Sequence, residues 1–321
     1  MISLNDFKNT KEFIVNSFDE LLSLCKELRE KSDEKYTIRL NFNGRIHKKI
    51  KFTYSNFHII GNNNLTLEYD LYAKKLDDKG EELTTWKTAT LIITGSNNIF
   101  ENFTIENSKK ESYLYGQEVA LAIYGTNNLF INITMISEQD TLFSGPLPDD
   151  LVTRYTNFMP DDERFFEGIA KNYFYNCDIS GTIDFIFGAG QAIFYKCNLI
   201  SIKEKRIESY VCAPANSLKD DFGYYFEQCN FKSNGILNKD VYLARPWRDY
   251  GKAIFSNCNY ENHIKDEGFS DWSNVNRTET CRFYEFPLKK GRISFVRNKS
   301  NDTLPEIYSI ELNKLKKSIN E

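Results

Sequence analysis

A short motif, repeated six times, constrains this chain more than any other feature. Phe100-Glu-Asn-Phe103, Phe130-Ile-Asn-Ile133, Phe174-Tyr-Asn-Cys177, Phe194-Tyr-Lys-Cys197, Phe226-Glu-Gln-Cys229 and Phe255-Ser-Asn-Cys258 share one frame. An aromatic residue comes first, a polar residue (usually Asn) third, and a small or apolar residue fourth. The frame advances by 30, 44, 20, 32 and 29 residues, between β-prone runs broken by Asn-Asn, Asn-Gly and Gly-Ser. Steps of this size with a strand signature indicate a solenoid in which each turn buries its face on the next. The expected fold is all-β, a parallel β-helix.

The same frame marks what does not belong to it. The 44-residue step holds Phe143 to Gly168, rich in Pro and Asp, which reads as an inserted loop. Ser17-Phe-Asp-Glu20 resembles a capping box opening a helix through about Lys31, with Leu21, Leu24, Cys25 and Leu28 on one face. That helix is expected to cap an edge of the core. Residues 304–319 are amphipathic, with Pro305 near their start, and predict a tail helix along the outside. Residues 1–321 then form a single β-helix domain. The sequons Asn102-Phe-Thr and Asn132-Ile-Thr fall inside the frame and read as buried strand or turn positions rather than glycosylation sites.

Composition narrows the function. A net charge of −4 is too small to imply a polyanion-binding or membrane surface, so neither nucleic acid nor a membrane is expected as partner. Seven cysteines, an odd number without a Cys-x-x-Cys pair, suggest neither a disulfide framework nor a zinc site. Four of them fill the fourth slot of the frame, as a column of small hydrophobes would. The N-terminus lacks a basic start followed by an apolar run, and the expectation is a cytoplasmic protein. No oligomeric state is implied.

Two acidic residues lie in register. Asp140 follows Ile133 by seven residues, and Asp184 follows Cys177 by seven. Consecutive coils are about 4.8 Å apart, so equal offsets would set the two carboxyls face to face. Like charges that close push one pKa up and leave one low, which supplies a proton donor beside a nucleophile. The spacing alone equally suits two turn aspartates that satisfy backbone N–H groups. Gln139 precedes Asp140, and Gln117 lies 23 residues before Asp140 on the preceding coil; both are candidate donors to a developing oxyanion. Arg245 is a candidate partner to hold Asp184 ionised, and Trp247 and Tyr250 could supply a sugar-stacking wall. The three histidines, His47, His58 and His263, fall away from these clusters, which disfavours a Ser-His-Asp site.

These segments resemble the pectin methylesterase (pectinesterase) family, in particular its bacterial type. The matching stretches are Thr85-Trp-Lys-Thr-Ala89, Gly116-Gln-Glu-Val-Ala-Leu121, Gln139-Asp-Thr-Leu142, Gly181-Thr-Ile-Asp-Phe-Ile-Phe-Gly188 and Leu243-Ala-Arg-Pro-Trp247, with Gly145-Pro-Leu-Pro148 and Ser209-Tyr-Val-Cys-Ala-Pro214 as lesser ones. The resemblance implies a right-handed parallel β-helix that needs no metal or organic cofactor and acts on methyl-esterified galacturonan or its oligosaccharides. Asp184 would attack the methyl-ester carbonyl. Asp140 would protonate departing methanol and then activate water. Gln117 and Gln139 would stabilise the oxyanion, Arg245 would bind Asp184, and Trp247, Ile183, Phe187 and Tyr250 would line the sugar groove.

Three departures from the family pattern put substrate fit in doubt. Ala244 stands where the family has Gly, Glu118 stands where it has Ala, and Gly44-Arg-Ile-His-Lys48 lacks the Tyr and Glu of an early segment. Among rivals, galacturonan hydrolases would want further carboxylates and a Gly-His-Gly site. Calcium-dependent lyases would want a dense acidic cluster, for which the pairs Asp149-Asp150 and Asp161-Asp162 are more simply solvated. An acyl-CoA thioesterase-like enzyme keeps the aspartate pair. A non-catalytic glycan-binding β-helix would be expected to lose Asp140, Asp184 or Arg245, and all three are present.

Overall fold

Each position of the repeated frame has a physical reason in the computed structural model, which describes residues 1–148, 150–151, 170–203, 205–272, 276–289 and 303–321. The first-slot phenylalanines lie on neighbouring parallel strands, paired 100 to 130, 130 to 174, 174 to 194, 194 to 226 and 226 to 255. Their rings form a buried stack, with centroids 4.7–5.4 Å apart and planes within 13°. Offset stacking of this kind adds about 0.5–1.5 kcal/mol per pair to the area buried. The third-slot residues, Asn102, Asn132, Asn176, Lys196, Gln228 and Asn257, all have φ between 52° and 63°. Asn tolerates this left-handed conformation better than most residues, and here it turns the chain from one sheet to the next. The fourth-slot cysteines 177, 197 and 229 are fully buried free thiols.

Among the described residues the strands form three parallel sheets of ten, eight and seven strands. A coil visits them in that order, as in Lys171–Tyr175, Asp178–Gly181 and Ile183–Gly188. The coil is right-handed, as expected for parallel crossovers and as in the solved structures compared below. In the six coils of the repeated frame, the corner from the ten-stranded to the eight-stranded sheet is a two-residue bend. The other two corners carry loops of variable length, and those loops flank the outer face of the seven-stranded sheet as two rims.

Both terminal helices are present. Phe18–Lys31 is N-capped by Ser17, whose Oγ accepts from Glu20 N–H at 3.1 Å, and Glu20 reaches back to Asn16 N–H at 2.7 Å. It buries Phe18, Leu21, Cys25 and Leu28 into the interior core shared with Val15, Ile38 and Phe57. A strand that the sequence pattern did not signal, Lys11–Val15, precedes this helix and pairs with Tyr36–Leu40. The tail helix, Glu306–Ser318, buries Tyr308, Leu312 and Leu315 against Ile99, Leu129, Ile193, Tyr225 and Ile254, which face outward from the ten-stranded sheet.

The sequon residues Asn102 and Asn132 lie at bends, where Asn132 Nδ2 donates to Asn102 Oδ1 at 2.9 Å. Asn132 is exposed rather than buried, because a left-handed bend turns its side chain out of the coil. Most of the expected inserted loop, 143–168, lies outside the described residues. Its first residues, Phe143 and Ser144, end the strand Leu142–Ser144.

Candidate active site

Asp140 and Asp184 come together through strand register. The strand Leu142–Ser144 pairs with Ile183–Gly188 by Leu142 to Ile186 and Phe143 to Phe187, an offset that also aligns Asp140 with Asp184. Asp140 N–H donates to the carbonyl of Ile183 at 3.0 Å. Both aspartates have positive φ, 67° and 51°. At Asp184 the pairing with Ser209–Pro214 shifts register between Ile183 and Ile186. A bulge of this sort re-aims a side chain. It lets Phe185 and Ile186 both face the core while Asp184 lies on the outer face. Both carboxyls are nonetheless almost fully covered, at 7% and 5% exposure.

Their surroundings drive them apart. Arg245 grips Asp184 with a two-pronged bond, Nε to Oδ1 at 2.8 Å and Nη2 to Oδ2 at 2.6 Å, the geometry of an ionised carboxylate. The guanidinium is sandwiched between the rings of Tyr210, 3.9 Å away, and Trp272, 4.1 Å away. Burial works against the charge of Arg245, but the adjacent Asp184 more than restores it, and the net shift is upward. Asp140 has no such partner. Burial first, and the Asp184 charge second, push its pKa well above the usual carboxylate range; Arg245 and Arg206 offset this only in part. One carboxylate is thus clamped by a guanidinium while its neighbour is biased toward keeping its proton, the pairing that nucleophilic and general-acid work requires.

The two glutamines lie on adjacent coils beside the pair. Glu118 N–H donates to the carbonyl of Gln139 at 3.0 Å, which sets Gln117 next to the coil of Gln139. Gln139 Oε1 accepts from Arg206 Nη1 at 2.7 Å. Glu118, the residue that departs from the family pattern, is fully buried, and neither carboxyl oxygen has a hydrogen-bond partner. Burial, then the nearby Glu138, raise its pKa to about 8. Such a group is neutral in the folded state but ionises freely in the unfolded chain from its ordinary value of 4.5 upward. The ionisation-linked cost of its burial is therefore absent at low pH and grows as pH rises toward 8, to about 3 kcal/mol by pH 7. Glu118→Gln is expected to match wild type near pH 4.5 and to be more stable by up to that amount at pH 7. Urea unfolding across this range checks it; a pH-independent difference would mean that the carboxyl has a partner in solution.

Aromatic residues cover the outer face of the seven-stranded sheet next to the acids. Trp86 stacks on Trp247 (6.2 Å between centroids, 23°) and meets Phe143 edge-on at 5.3 Å, while Phe187 touches both Phe143 and Trp247. Ile183 and Phe187 are nearly buried and form floor rather than wall. Tyr250 is exposed on the turn beyond Trp247, and among the described residues no ring contact ties it to this cluster. It is five residues from Arg245 in sequence, but the chain has already turned toward the strand Lys252–Ser256. Ala244, which stands where the family has Gly, buries its methyl group in the interior core.

Sequence reasoning did not single out Trp86, Tyr210, Trp272, Arg206 or Ser112 as site residues. Trp86 and Tyr210 stood inside the matching segments, and that was the available signal. Among the described residues, no group of three or more His, Cys, Asp or Glu is placed to hold a metal ion.

Comparison with known proteins agrees with this geometry. The family model described as Pectinesterase matches residues 155–299. Pectinesterase QRT1 of Arabidopsis thaliana is 30% identical over 216 residues, which cover 67% of this chain and 50% of that protein. Pectinesterase 31 of the same plant is 27% identical over 203 residues, covering 63% of this chain and 55% of that protein. The chain spans about half the length of these curated relatives. Among solved structures, the pectin methylesterase from Aspergillus niger superposes with a TM-score of 0.71 at 19% identity, covering 93% of this chain and 92% of that one. A pectin methylesterase in complex with a hexasaccharide gives 0.67 at 20% identity, covering 92% and 99%. At these identities the likeness is one of fold.

Proposed function

Because the chain belongs to the pectinesterase family, we propose that it hydrolyses the methyl ester of galacturonate in methylated galacturonan or its oligosaccharides. The observation that carries this reading is the Asp140–Asp184 pair in register, with Arg245 forked onto Asp184 alone. Asp184 attacks the ester carbonyl carbon, and the tetrahedral oxyanion is met by the amides of Gln117 and Gln139. The C–O bond to methoxide then breaks as Asp140 gives up its proton, so methanol leaves and an acyl anhydride with Asp184 remains. Water attacks that acyl carbon while Asp140, now a base, takes its proton back. Expulsion of the Asp184 carboxylate frees the galacturonate acid and restores both aspartates. A hexasaccharide-bound relative shares the fold, which supports an oligosaccharide substrate.

The proposal extends to short methylated oligomers in the cytoplasm, supported by seven free thiols, of which six are buried. The test is methanol release from methylated galacturonan, methylated trimers and an acyl-CoA, with fractionation of the native protein. Turnover of acyl-CoA alone would overturn the reading; secretion, or preference for the polymer, would overturn its cytoplasmic part.

The Trp86–Trp247 stack is the wall on which a sugar ring would lie. Trp86→Ala and Trp247→Ala should each weaken substrate by about 1 kcal/mol, a roughly five-fold rise in KM. Stacking on a ring remote from the reacting carbon is equal in ground and transition states, so kcat should barely change. Steady-state kinetics on methylated galacturonan separates the two constants. An unchanged KM in both variants would show that sugar does not lie on this wall.

A further inference from the structure

Gln139, next to Asp140 in the chain, is held in a way that fixes which end of its amide meets Arg206. An arginine side chain has donors only, so the amide atom that meets Arg206 Nη1 at 2.7 Å is the oxygen. The NH2 group must then point away from Arg206, and among the described residues it has no partner in the resting structure. Arg206 is itself anchored. Its Nη2 donates to Ser112 Oγ at 2.7 Å, and Ser112 N–H donates to Glu138 Oε2 at 2.8 Å. Arg206 lies between the strands Asn198–Ile202 and Ser209–Pro214, one coil beyond Asp184, whereas Gln139 and Ser112 belong to the two coils before it. One side chain therefore ties together loops from coils that have no shared corner.

We infer that Arg206, held by Ser112, is a positioning residue that orients Gln139 as a hydrogen-bond donor to the ester oxygen. This rests on the proposed esterase reading. An unrestrained amide can flip and present its oxygen to the developing oxyanion, which repels it; the guanidinium forbids that orientation. It also polarises the amide, strengthening the N–H that the oxyanion receives. The interaction matters most when charge develops, so its loss falls on kcat.

The test is a double-mutant cycle with steady-state kinetics of methanol release. Arg206→Ala is expected to lower kcat about 10- to 100-fold, less than the 10²- to 10³-fold typical of losing an oxyanion donor outright, with KM changed less than two-fold. In a Gln139→Ala background the same substitution should add almost nothing, since the group it orients is gone. Added guanidinium ion should restore part of the kcat of Arg206→Ala, which a merely structural role would not allow. Ser112→Ala should show a smaller fall of the same kind. Full additivity with Gln139→Ala overturns the inference, as does an effect confined to KM, which would make Arg206 a substrate contact. If wild type releases no methanol, it is the esterase reading that fails.

Discussion

Asp184→Asn is expected to lower kcat for methanol release by about 10⁴-fold or more, the scale on which removal of a covalent nucleophile acts, in a protein that still folds. Asn is isosteric, and its carbonyl oxygen can keep one of the two Arg245 bonds. The other prong of the fork then faces an NH2 group. The guanidinium is left partly buried without its forked carboxylate, though still clasped by Tyr210 and Trp272. Breaking half of a buried pair costs stability, so circular dichroism and a thermal melt must accompany the kinetics. Asp184→Glu separates charge from placement. It keeps the ion pair but moves the attacking oxygen by the length of a methylene, and misplacement of about 1 Å costs on the order of 10²-fold. The ordering wild type, then Glu, then Asn identifies a nucleophile. Substantial turnover in a folded Asn variant would sink the mechanism.

What the sequence disclosed, and what it hid, follows from where the repeat is physically enforced. The corner between the ten-stranded and eight-stranded sheets has one length and one left-handed residue in every coil of the frame. Its Phe, Asn and Cys positions therefore recur, and counting from them places Asp140 and Asp184 in register. The opposite corners have no fixed length. Arg206, Ser112 and Trp86 lie on loops there, and no period relates a residue of the loop before Ser209 to one of the loop before Leu121. The strands under the site are three to six residues long, and one carries a bulge, so alternation along them is too brief to show which way a side chain points. Tyr250, a candidate for the sugar-stacking wall, is exposed on the turn after Trp247, and its lack of a ring contact with the Trp86–Trp247 cluster among the described residues depends on that turn, which no repeat encodes. Glu118 was visible as a departure from the family pattern, but its complete burial and lack of partners depend on the neighbouring coils that close over it.

Asp140→Asn tests the other half of the pair through two quantities that should move in opposite directions. Activity should fall by about 10²- to 10⁴-fold, the usual contribution of a positioned acid–base group, since both the proton to methanol and the base for water are lost. Stability should rise, and the pH dependence gives the sign. The folded-state pKa of Asp140 lies well above 3.8, raised by burial and then by Asp184. Below pH 3.8 the group is protonated in both folded and unfolded chains and contributes no difference. As pH rises, the unfolded carboxyl ionises in water while the folded one must keep its proton or bury a second negative charge. Each step upward therefore favours the unfolded chain until the folded pKa is passed. Asparagine cannot ionise and escapes this penalty. The melting temperature of the variant should thus equal that of wild type well below pH 3.8 and exceed it increasingly as pH rises above that value, until the folded pKa is passed. A destabilised variant at pH 8 would mean the reverse, an ionised Asp140 held by backbone N–H groups, which is the turn-aspartate alternative that spacing alone leaves open. Gain of stability with loss of turnover instead identifies a carboxyl kept in an unfavourable place because the chemistry needs its proton there.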